Sequence, residues 1–279
     1  YHFPWPFADA LHFLANVQKP TLVTYHSDVI RQQKLLSLYS PLMKRFLKSA
    51  TKIVCTSPNY LASSKVLGAL GKPCSVIPIG LDSESYPSVV ETELEQLRQQ
   101  YKEDFFLFVG LLRYYKGLHT LLEAAKLTSQ QIVIVGEGPL EKELKQKAKR
   151  LGLSNVHFTG YLPDSQKMAL IELCRALVLP CNLRSEAFGV CLLEGAMKGK
   201  PLISAEVETG TSFVNLDSET GIVVPPENAQ LLAEAMNRLA ADPVEAKRLG
   251  KNARARFESV FTSKQMADAY LEEYEQLLG

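Results

Sequence analysis

The stretch Ala176-Leu-Val-Leu-Pro-Cys-Asn-Leu-Arg-Ser-Glu-Ala-Phe-Gly-Val-Cys-Leu-Leu-Glu194 joins a strand to a helix through one loop. The apolar run 176–179 predicts a buried strand, and the apolar spacing after the Phe-Gly step predicts a helix. Glu186 therefore falls on the loop that leaves the strand, and Glu194 lies within the helix. Open α/β sheets bind ligands outside the carboxyl ends of their strands. The stretch thus predicts an α/β fold and the edge that carries its site.

The two carboxylates of this stretch suit a ligand that has both hydroxyl groups and a phosphate. At the helix start, Phe188, Gly189 and Val190 can offer backbone N–H groups to an anion or a sugar hydroxyl. Glu186 can accept hydrogen bonds from hydroxyls above that helix start. The nine residues from Glu186 to Glu194, taken alone, fit an alternative equally well. In it Glu186 is a favourable charge at a helix N-terminus, and Glu194 is a solvated surface residue.

Apolar runs alternate with helical patterns from residue 105 onward, which predicts a parallel sheet with helices on both faces. The predicted strands are 105–109, 132–135, 156–158, 176–179, 201–204 and 222–224. The predicted helices lie near 118–127, 140–151, 166–175, 190–198 and 229–242. Before residue 80 there are only three strand candidates, at 21–25, 52–55 and 75–79, and no Gly-rich strand-to-helix turn. We therefore expect the first doubly wound unit to be truncated at its front.

Length and composition favour a cytoplasmic protein of two domains, with 279 residues of which 46% are hydrophobic. No apolar run is long enough to span a bilayer. The start, Tyr1-His-Phe-Pro-Trp-Pro6, lacks the basic head and cleavage site of a signal peptide. Five cysteines without a C-x-x-C pair predict reduced thiols and no zinc site; they are Cys55, Cys74, Cys174, Cys181 and Cys191.

The near-neutral net charge hides a basic front, because residues 1–81 carry +7 and residues 82–279 carry −6. A helical pattern near residues 41–50 puts its apolar residues on one face, namely Leu42, Met43, Phe46 and Leu47. The cations fall on another face, namely Lys44, Arg45, Lys48 and then Lys52. Such a helix can lie on an anionic membrane, or it can simply pack its apolar stripe on a sheet. Nucleic acid is a weaker partner, because no nucleic-acid module is present and the rest of the chain is acidic.

A second constellation, Phe108-Val-Gly-Leu-Leu-Arg-Tyr-Tyr-Lys-Gly117, places two cations at the same sheet edge. A strand ends at Gly110, the loop carries Arg113 and Lys116, and a helix starts after Gly117. Fixed cations at this edge can hold a diphosphate and stabilise its growing negative charge without a metal. An isolated Arg-x-x-Lys pair is usually solvated, but the acidic motif at the same edge favours a shared site.

These motifs together resemble those of retaining GT-B glycosyltransferases, in the large group that contains sucrose synthase and bacterial mannosyltransferases. Their order matches over roughly residues 20–279: 110–117, Val135-Gly-Glu-Gly-Pro139, Gly160-Tyr-Leu-Pro-Asp164, the Glu186/Glu194 pair and Gly221-Ile-Val-Val-Pro-Pro226. The front resembles polysaccharide and lipopolysaccharide mannosyltransferases through Tyr1-His-Phe-Pro-Trp-Pro6, Thr24-Tyr-His-Ser-Asp28 and Thr209-Gly-Thr-Ser-Phe-Val214. Those enzymes transfer mannose from GDP-mannose to a lipid-linked acceptor.

The resemblance implies an α/β, GT-B architecture, in which two Rossmann-like domains face a cleft. Residues 1–85 would form a partial, acceptor-side domain whose leading strands and Gly-rich loop are missing. Residues 86–262 would form the nucleotide-sugar-binding domain, and residues 263–279 a helix that packs back on the first domain.

The resemblance also assigns roles to single residues. Arg113 and Lys116, next to Gly110, would bind the donor diphosphate, and His26 would face the donor sugar across the cleft. Glu186 would bind the hydroxyls of the transferred sugar, Glu194 the ribose, and the amides of residues 188–190 the sugar and phosphate. Leu162 would line the base pocket, with Lys167 nearby. Many relatives have Arg directly after the glycine that corresponds to Gly110, where this chain has Leu111, so Arg113 must act from two residues further on.

The resemblance therefore implies a retaining, metal-independent hexosyltransferase of cell-surface polysaccharide synthesis, with a nucleotide sugar as donor and no further cofactor. GDP-mannose is the expected donor, and a lipid-linked saccharide is the expected acceptor. The protein would work in the cytoplasm, in peripheral contact with the inner face of the membrane. The alternative is a non-catalytic sugar-nucleotide-binding or scaffold protein, against which Lys116, Glu186 and His26 favour the enzyme. A nicotinamide dehydrogenase is disfavoured, because no Gly-x-Gly-x-x-Gly follows any strand.

Overall fold

The computed structural model describes residues 1–30 and 33–279, and its strands form two sheets in which every pairing is parallel. The first sheet has the strand order β1-β2-β3-β4. Its strands are β1 His2–Phe3, β2 Leu22–Tyr25, β3 Lys52–Cys55 and β4 Cys74–Val76. The helices of this part are α1 Pro6–Leu14, α2 Gln33–Ser49, α3 Pro58–Ser63 and α4 Lys65–Leu70. The count of three strands before residue 80 was wrong, because β1 has only two residues and no apolar run marks it.

The second sheet contains the six strands that the alternating pattern predicts. They are β5 Phe106–Val109, β6 Ile132–Val135, β7 Val156–Gly160, β8 Ala176–Leu179, β9 Leu202–Ala205 and β10 Gly221–Val224. The helices are α5 Glu91–Tyr101, α6 Leu118–Ala125, α7 Glu141–Arg150, α8 Asp164–Leu173, α9 Val190–Met197, α10 Gly210–Val214, α11 Ala229–Ala241, α12 Pro243–Val260 and α13 Ser263–Leu278. Helices on both faces bury the central strands completely, which is why those strands read as continuous apolar runs. The predicted α/β fold with two parallel sheets is confirmed.

The strand order β10-β9-β8-β5-β6-β7 fixes the position of the site. From β5 the chain builds outward through β6 and β7, and it then returns to β8 on the other side of β5. The loops after β5 and β8 therefore leave neighbouring strands in divergent directions, which opens a crevice at the carboxyl edge of the sheet. These are the loops that carry Lys116 and Glu186.

Helix α13 lies against the first sheet, on the face opposite α2. Its Met266, Ala269, Tyr270 and Leu277 pack on Leu22, Val54 and Ile77. The hydroxyl groups of Tyr270 and Thr24 are 2.8 Å apart, and Lys52 Nζ lies 3.0 Å from Glu273 Oε2. The chain thus returns to the first sheet after completing the second one, and the domain boundaries at 85/86 and 262/263 stay predictions.

The basic helix packs its apolar stripe, as the simpler of its two interpretations requires. Met43, Phe46 and Leu47 are buried in the core of the first sheet, whereas Lys44, Arg45 and Lys48 are exposed. The assignment of Lys52 to the basic helical face was wrong, because α2 ends at Ser49 and Lys52 begins β3. In the part of the chain that the structure describes, no helix is both long and apolar enough to cross a bilayer.

Candidate active site

The loops after β5 and β8 touch each other at the carboxyl edge of the second sheet. The backbone N–H of Asn182 donates a hydrogen bond to the Tyr115 carbonyl over 3.1 Å. Gly117 has a φ of 69° and lies directly on the Pro180 carbonyl, so that a Cβ at this position would overlap the oxygen. Glycine is therefore required here on two counts, the left-handed backbone and the close approach of the second loop. This contact brings the residue before Gly117, Lys116, to the Glu186 loop.

Lys116 and Glu186 form a buried ion pair between these loops. Lys116 Nζ lies 2.5 Å from Glu186 Oε2, and the two side chains are 12% and 11% exposed. The other carboxylate oxygen accepts a hydrogen bond of 2.9 Å from the Gly189 N–H, and the Thr209 hydroxyl donates to the Glu186 carbonyl over 2.7 Å. Both ends of Glu186 are thus held, and its carboxylate has a fixed orientation.

The surroundings of this pair keep the lysine charged. Burial alone would lower the pKa of Lys116, but the Glu186 carboxylate at 2.5 Å outweighs it and holds that pKa above its ordinary value. Burial raises the pKa of the Cys191 thiol to about 12, and burial followed by the nearby Glu186 raises that of Cys181 well above its usual range. At neutral pH Lys116 is therefore an ammonium, and the two thiols are neutral.

The helix start offers less free backbone than the sequence pattern indicates. Gly189 adopts a φ of 87° and precedes α9, as predicted, but its N–H is already bonded to Glu186 Oε1. The prediction of a free amide at Gly189 is therefore wrong for this state of the protein, because the carboxylate three residues earlier takes it. Phe188 points into the core, where its ring lies 6.2 Å from that of Phe261, and Val190 is exposed.

Glu194 belongs to a second buried ion pair. It accepts hydrogen bonds from Lys167 Nζ over 2.7 Å and from the Tyr86 hydroxyl over 3.1 Å. Lys167 lies in α8 and also contacts Asp164 at 2.9 Å. The alternative in which Glu194 is a solvated surface residue is therefore wrong. Burial and the Glu194 carboxylate raise the pKa of Tyr86, so its hydroxyl stays a donor.

The remaining predicted residues lie around these two pairs. A Cβ built at Gly110 would lie 3.6 Å from Lys116 Nζ, so the end of β5 borders the cation directly. Arg113 is exposed, and its carbonyl accepts the Lys116 N–H over 3.1 Å, which closes the turn between the two cations. Leu162 is half-buried and packs against the core of the second sheet just before α8.

His26 follows β2 of the first sheet and is stacked on His2. Their rings are 5.1 Å apart and nearly parallel, and His2 Nδ1 lies 2.8 Å from His26 Nε2. Burial, and then the neighbouring His2, lower the pKa of His26, so the imidazole is neutral at pH 7. Both rings line a cavity of about 440 Å³ together with Thr24 and Tyr270.

Two side chains that contact these residues were given no role from the sequence, namely His2, which contacts His26, and Tyr86, which contacts Glu194. Tyr86 lies just after a short 3₁₀ helix, Ser83–Ser85, in the segment that connects the two sheets. Within residues 1–30 and 33–279, no three His, Cys, Asp or Glu side chains are grouped as metal ligands.

A protein family, related sequences and solved structures that match this chain all belong to enzymes that transfer sugars. The family described as "Glycosyl transferases group 1" matches residues 89–256. The chain is 52% identical to D-rhamnosyltransferase WbpZ of Pseudomonas aeruginosa over 94% of its own length and 69% of that protein. It is 50% identical to O-antigen chain mannosyltransferase C of Escherichia coli over 100% of its own length and 75% of that protein. Among solved structures, sucrose-phosphate synthase from Thermosynechococcus elongatus superimposes with a TM-score of 0.84 at 27% identity, covering 99% of this chain and 73% of the other.

Proposed function

This chain belongs to the group 1 glycosyltransferases and shares their GT-B fold, and from that premise we propose that it transfers a hexose with retention and without a metal. The proposed donor is GDP-mannose, and the proposed acceptor is a lipid-linked or free saccharide in the synthesis of a cell-surface polysaccharide such as O-antigen. The names of the two bacterial relatives, a mannosyltransferase and a rhamnosyltransferase, support a hexose or deoxyhexose as the transferred group.

The observation that carries this proposal is the Lys116–Glu186 pair at the crevice of the second sheet. A phosphorylated sugar has one part for each member of the pair. We assign the diphosphate to the Lys116 ammonium and the sugar hydroxyls to the Glu186 carboxylate. Arg113, exposed on the same turn, would add a second cation to the phosphate from the solvent side.

The second ion pair suits the other end of the donor. We assign the ribose hydroxyls to Glu194, whose carboxylate is oriented by Lys167 and Tyr86. Leu162, just before α8, would border the base. The donor would therefore run from the loop after β5 toward the start of α8, with the backbone at residues 188–190 beneath its sugar and phosphate.

The proposed reaction breaks the bond between the anomeric carbon and the diphosphate oxygen. The acceptor hydroxyl oxygen forms its bond to that carbon on the same face, and its proton passes to the departing diphosphate. Negative charge grows on the leaving oxygen, where the Lys116 ammonium is already fixed and needs no reorganisation. His26, neutral and on the first sheet, would contact the donor sugar from the opposite side of the cleft.

A panel of nucleotide sugars, with lipid-linked saccharides as acceptors, tests this proposal. We expect transfer from GDP-mannose that persists in EDTA and gives a product with the anomeric configuration of the donor, read by NMR. Glu186→Gln should lower kcat by orders of magnitude, because it removes an interaction needed in the transition state. Glu234→Gln on α11, which alters an exposed carboxylate that accepts a hydrogen bond from Gln230, serves as the control. Tight nucleotide binding without any transfer would instead support the scaffold alternative.

We further propose that α1 and α2 contact the membrane that carries the acceptor. Helix α1 exposes three apolar side chains at helical spacing, namely Phe7, Leu11 and Leu14. They are 74%, 56% and 81% exposed. Helix α1 packs beside α2, and the Arg45 guanidinium lies 4.7 Å from the ring centre of Phe13. An exposed apolar stripe next to exposed cations is the pattern of a helix that lies in the interface of an anionic bilayer.

A further inference from the structure

Two charged side chains face each other where the loops of the two sheets meet. Asp28 follows β2 and lies two residues after His26, whereas Arg184 follows β8 and lies two residues before Glu186. Asp28 Oδ2 and Arg184 Nη2 are 3.8 Å apart, and both side chains are largely buried. Neither residue belongs to the two ion pairs of the donor site.

Asp28 is held firmly on the side of the first sheet. Its Oδ1 accepts hydrogen bonds from the Tyr25 hydroxyl over 2.6 Å and the Ser64 hydroxyl over 2.8 Å. Its backbone N–H donates to the Tyr60 hydroxyl over 2.6 Å. These bonds satisfy one carboxylate oxygen and leave the other directed at Arg184.

Arg184 is held equally firmly, but its bonding is incomplete. Its guanidinium lies 5.1 Å from the ring centre of Tyr60, and Nη1 donates to the Glu208 carbonyl over 2.8 Å. The same Nη1 lies 3.6 Å from Oε2 of the Glu208 side chain, which is 74% exposed, whereas Asp28 is largely buried. The Ser63 hydroxyl donates to the Glu208 carbonyl over 2.6 Å, so both sheets contribute to this junction. Nη2 is buried and, among the residues described, has no hydrogen-bond partner. An approach of about 1 Å toward Asp28 would give it a charge-assisted hydrogen bond of ordinary length.

The junction is connected to the Glu186 loop through the segment 208–210. The Thr209 hydroxyl bonds to the Glu186 carbonyl over 2.7 Å, and the Gly210 N–H donates to the Ala187 carbonyl over 2.8 Å. We infer that Asp28 and Arg184 are a positioning pair, which sets the His26 loop against the Glu186 loop and shortens when the two sheets close on the donor. This inference rests on the proposed function, because it takes His26 and Glu186 to face the donor sugar.

A double-mutant cycle in the transfer assay tests the pair. Asp28→Asn and Arg184→Gln should each lower kcat about tenfold, while the Kd for GDP stays within about twofold, since neither side chain is assigned to the nucleotide. The double variant should be no slower than the worse single variant, because one coupled interaction is lost only once. Lys52→Met and Glu273→Gln remove another ion pair of the first sheet, away from both loops, and serve as controls that leave kcat unchanged.

If kcat of the double variant falls about 100-fold, the product of the two single effects, the inference is overturned. Variants that lose only GDP affinity, with kcat unchanged, would overturn it as well. Hydrogen exchange gives a readout that needs no substrate. Arg184→Gln should speed amide exchange in residues 26–30, which follow β2, as well as in its own loop, whereas Lys52→Met should not. Unchanged exchange at 26–30 refutes the pair. A wild-type protein that transfers no sugar refutes the proposed function instead, and the exchange measurement still decides on the pair.

Discussion

Lys116→Met removes the ammonium of the central ion pair and keeps most of the side-chain volume. In the wild-type protein Lys116 Nζ is 2.5 Å from Glu186 Oε2, and both side chains are only about one-tenth exposed. After the substitution the carboxylate keeps the hydrogen bond from the Gly189 N–H, which is present in both proteins. The change therefore leaves a buried carboxylate whose second oxygen has lost its counterion.

Removing one partner of a buried ion pair costs about 3–5 kcal/mol, and we expect the lower end, about 3 kcal/mol, because Glu186 Oε1 remains bonded. For a cooperative unit of this size that loss corresponds to a fall in Tm of about 6–12 °C. Replacing both partners, in Lys116→Met with Glu186→Gln, removes both charges. The double variant should therefore recover to within about 1 kcal/mol of the wild type.

Urea unfolding at pH 7, followed by circular dichroism at the helix band, measures these differences. Lys145→Met is the matched control, because Lys145 and Glu141 form an exposed pair at 2.7 Å that should contribute less than about 0.5 kcal/mol. A Lys116→Met protein that unfolds at the wild-type urea concentration would refute the reasoning, as would a double variant less stable than either single one. Either result would mean that the pair is solvated or open in solution.

Three further predictions test other parts of the molecule. Arg113→Ala should weaken GDP binding less than Lys116→Met does, because Arg113 is exposed. In calorimetry both variants should bind guanosine as the wild type does, and equal losses for all ligands would make the cations structural. Reversing the charges of Lys44, Arg45 and Lys48 should abolish co-sedimentation of the protein with anionic vesicles. Salt should also weaken this binding, because exposed charges are screened over about 10 Å at 0.1 M. Equal binding of the wild-type protein to neutral and anionic vesicles would contradict the prediction. Burial raises the pKa of Asp9, so the folded protein holds that proton more tightly and this group favours folding less as pH rises. Asp9→Asn should therefore raise the urea midpoint more at pH 7 than at pH 4, and an equal gain at both would contradict the raised pKa.

The sequence predicts the second sheet well because its strands are buried on both faces. A strand such as Ile132–Val135 has no solvent side, so it appears as an unbroken apolar run, and its shortness and β-branched residues distinguish it from a buried helix. Parallel strands also place all their carboxyl ends at one edge. Once the strands were identified, the sheet edge that carries the Lys116 and Glu186 loops followed from the sequence. That the two loops are neighbours depends on the strand order, which places β8 beside β5 and was not predicted.

The individual partners could not be predicted, because they depend on contacts between distant segments. Tyr86 reaches Glu194 across 108 positions of the chain, and nothing in either local pattern indicates the other. Gly189 illustrates a different limit, since the helix start was located correctly but its N–H was already taken by Glu186. Periodicity locates a group on an element, whereas the bond it makes depends on which acceptor packing brings within 3 Å.

The Lys116–Glu186 pair also bears on which ligands the site would accept. An inorganic phosphate that binds Lys116 must compete with Glu186, and success leaves the carboxylate with only weak or neutral donors, the Gly189 N–H at 2.9 Å and the Cys181 thiol at 3.9 Å. A buried charge without its counterion is costly, so a simple anion gains little by entering. A sugar phosphate brings anionic oxygens for the lysine and hydroxyl donors for the carboxylate in one molecule, and it can satisfy both members as it separates them. The same ion pair would therefore favour sugar esters of phosphate over phosphate itself, because specificity arises from the partner that the wrong ligand leaves unpaired.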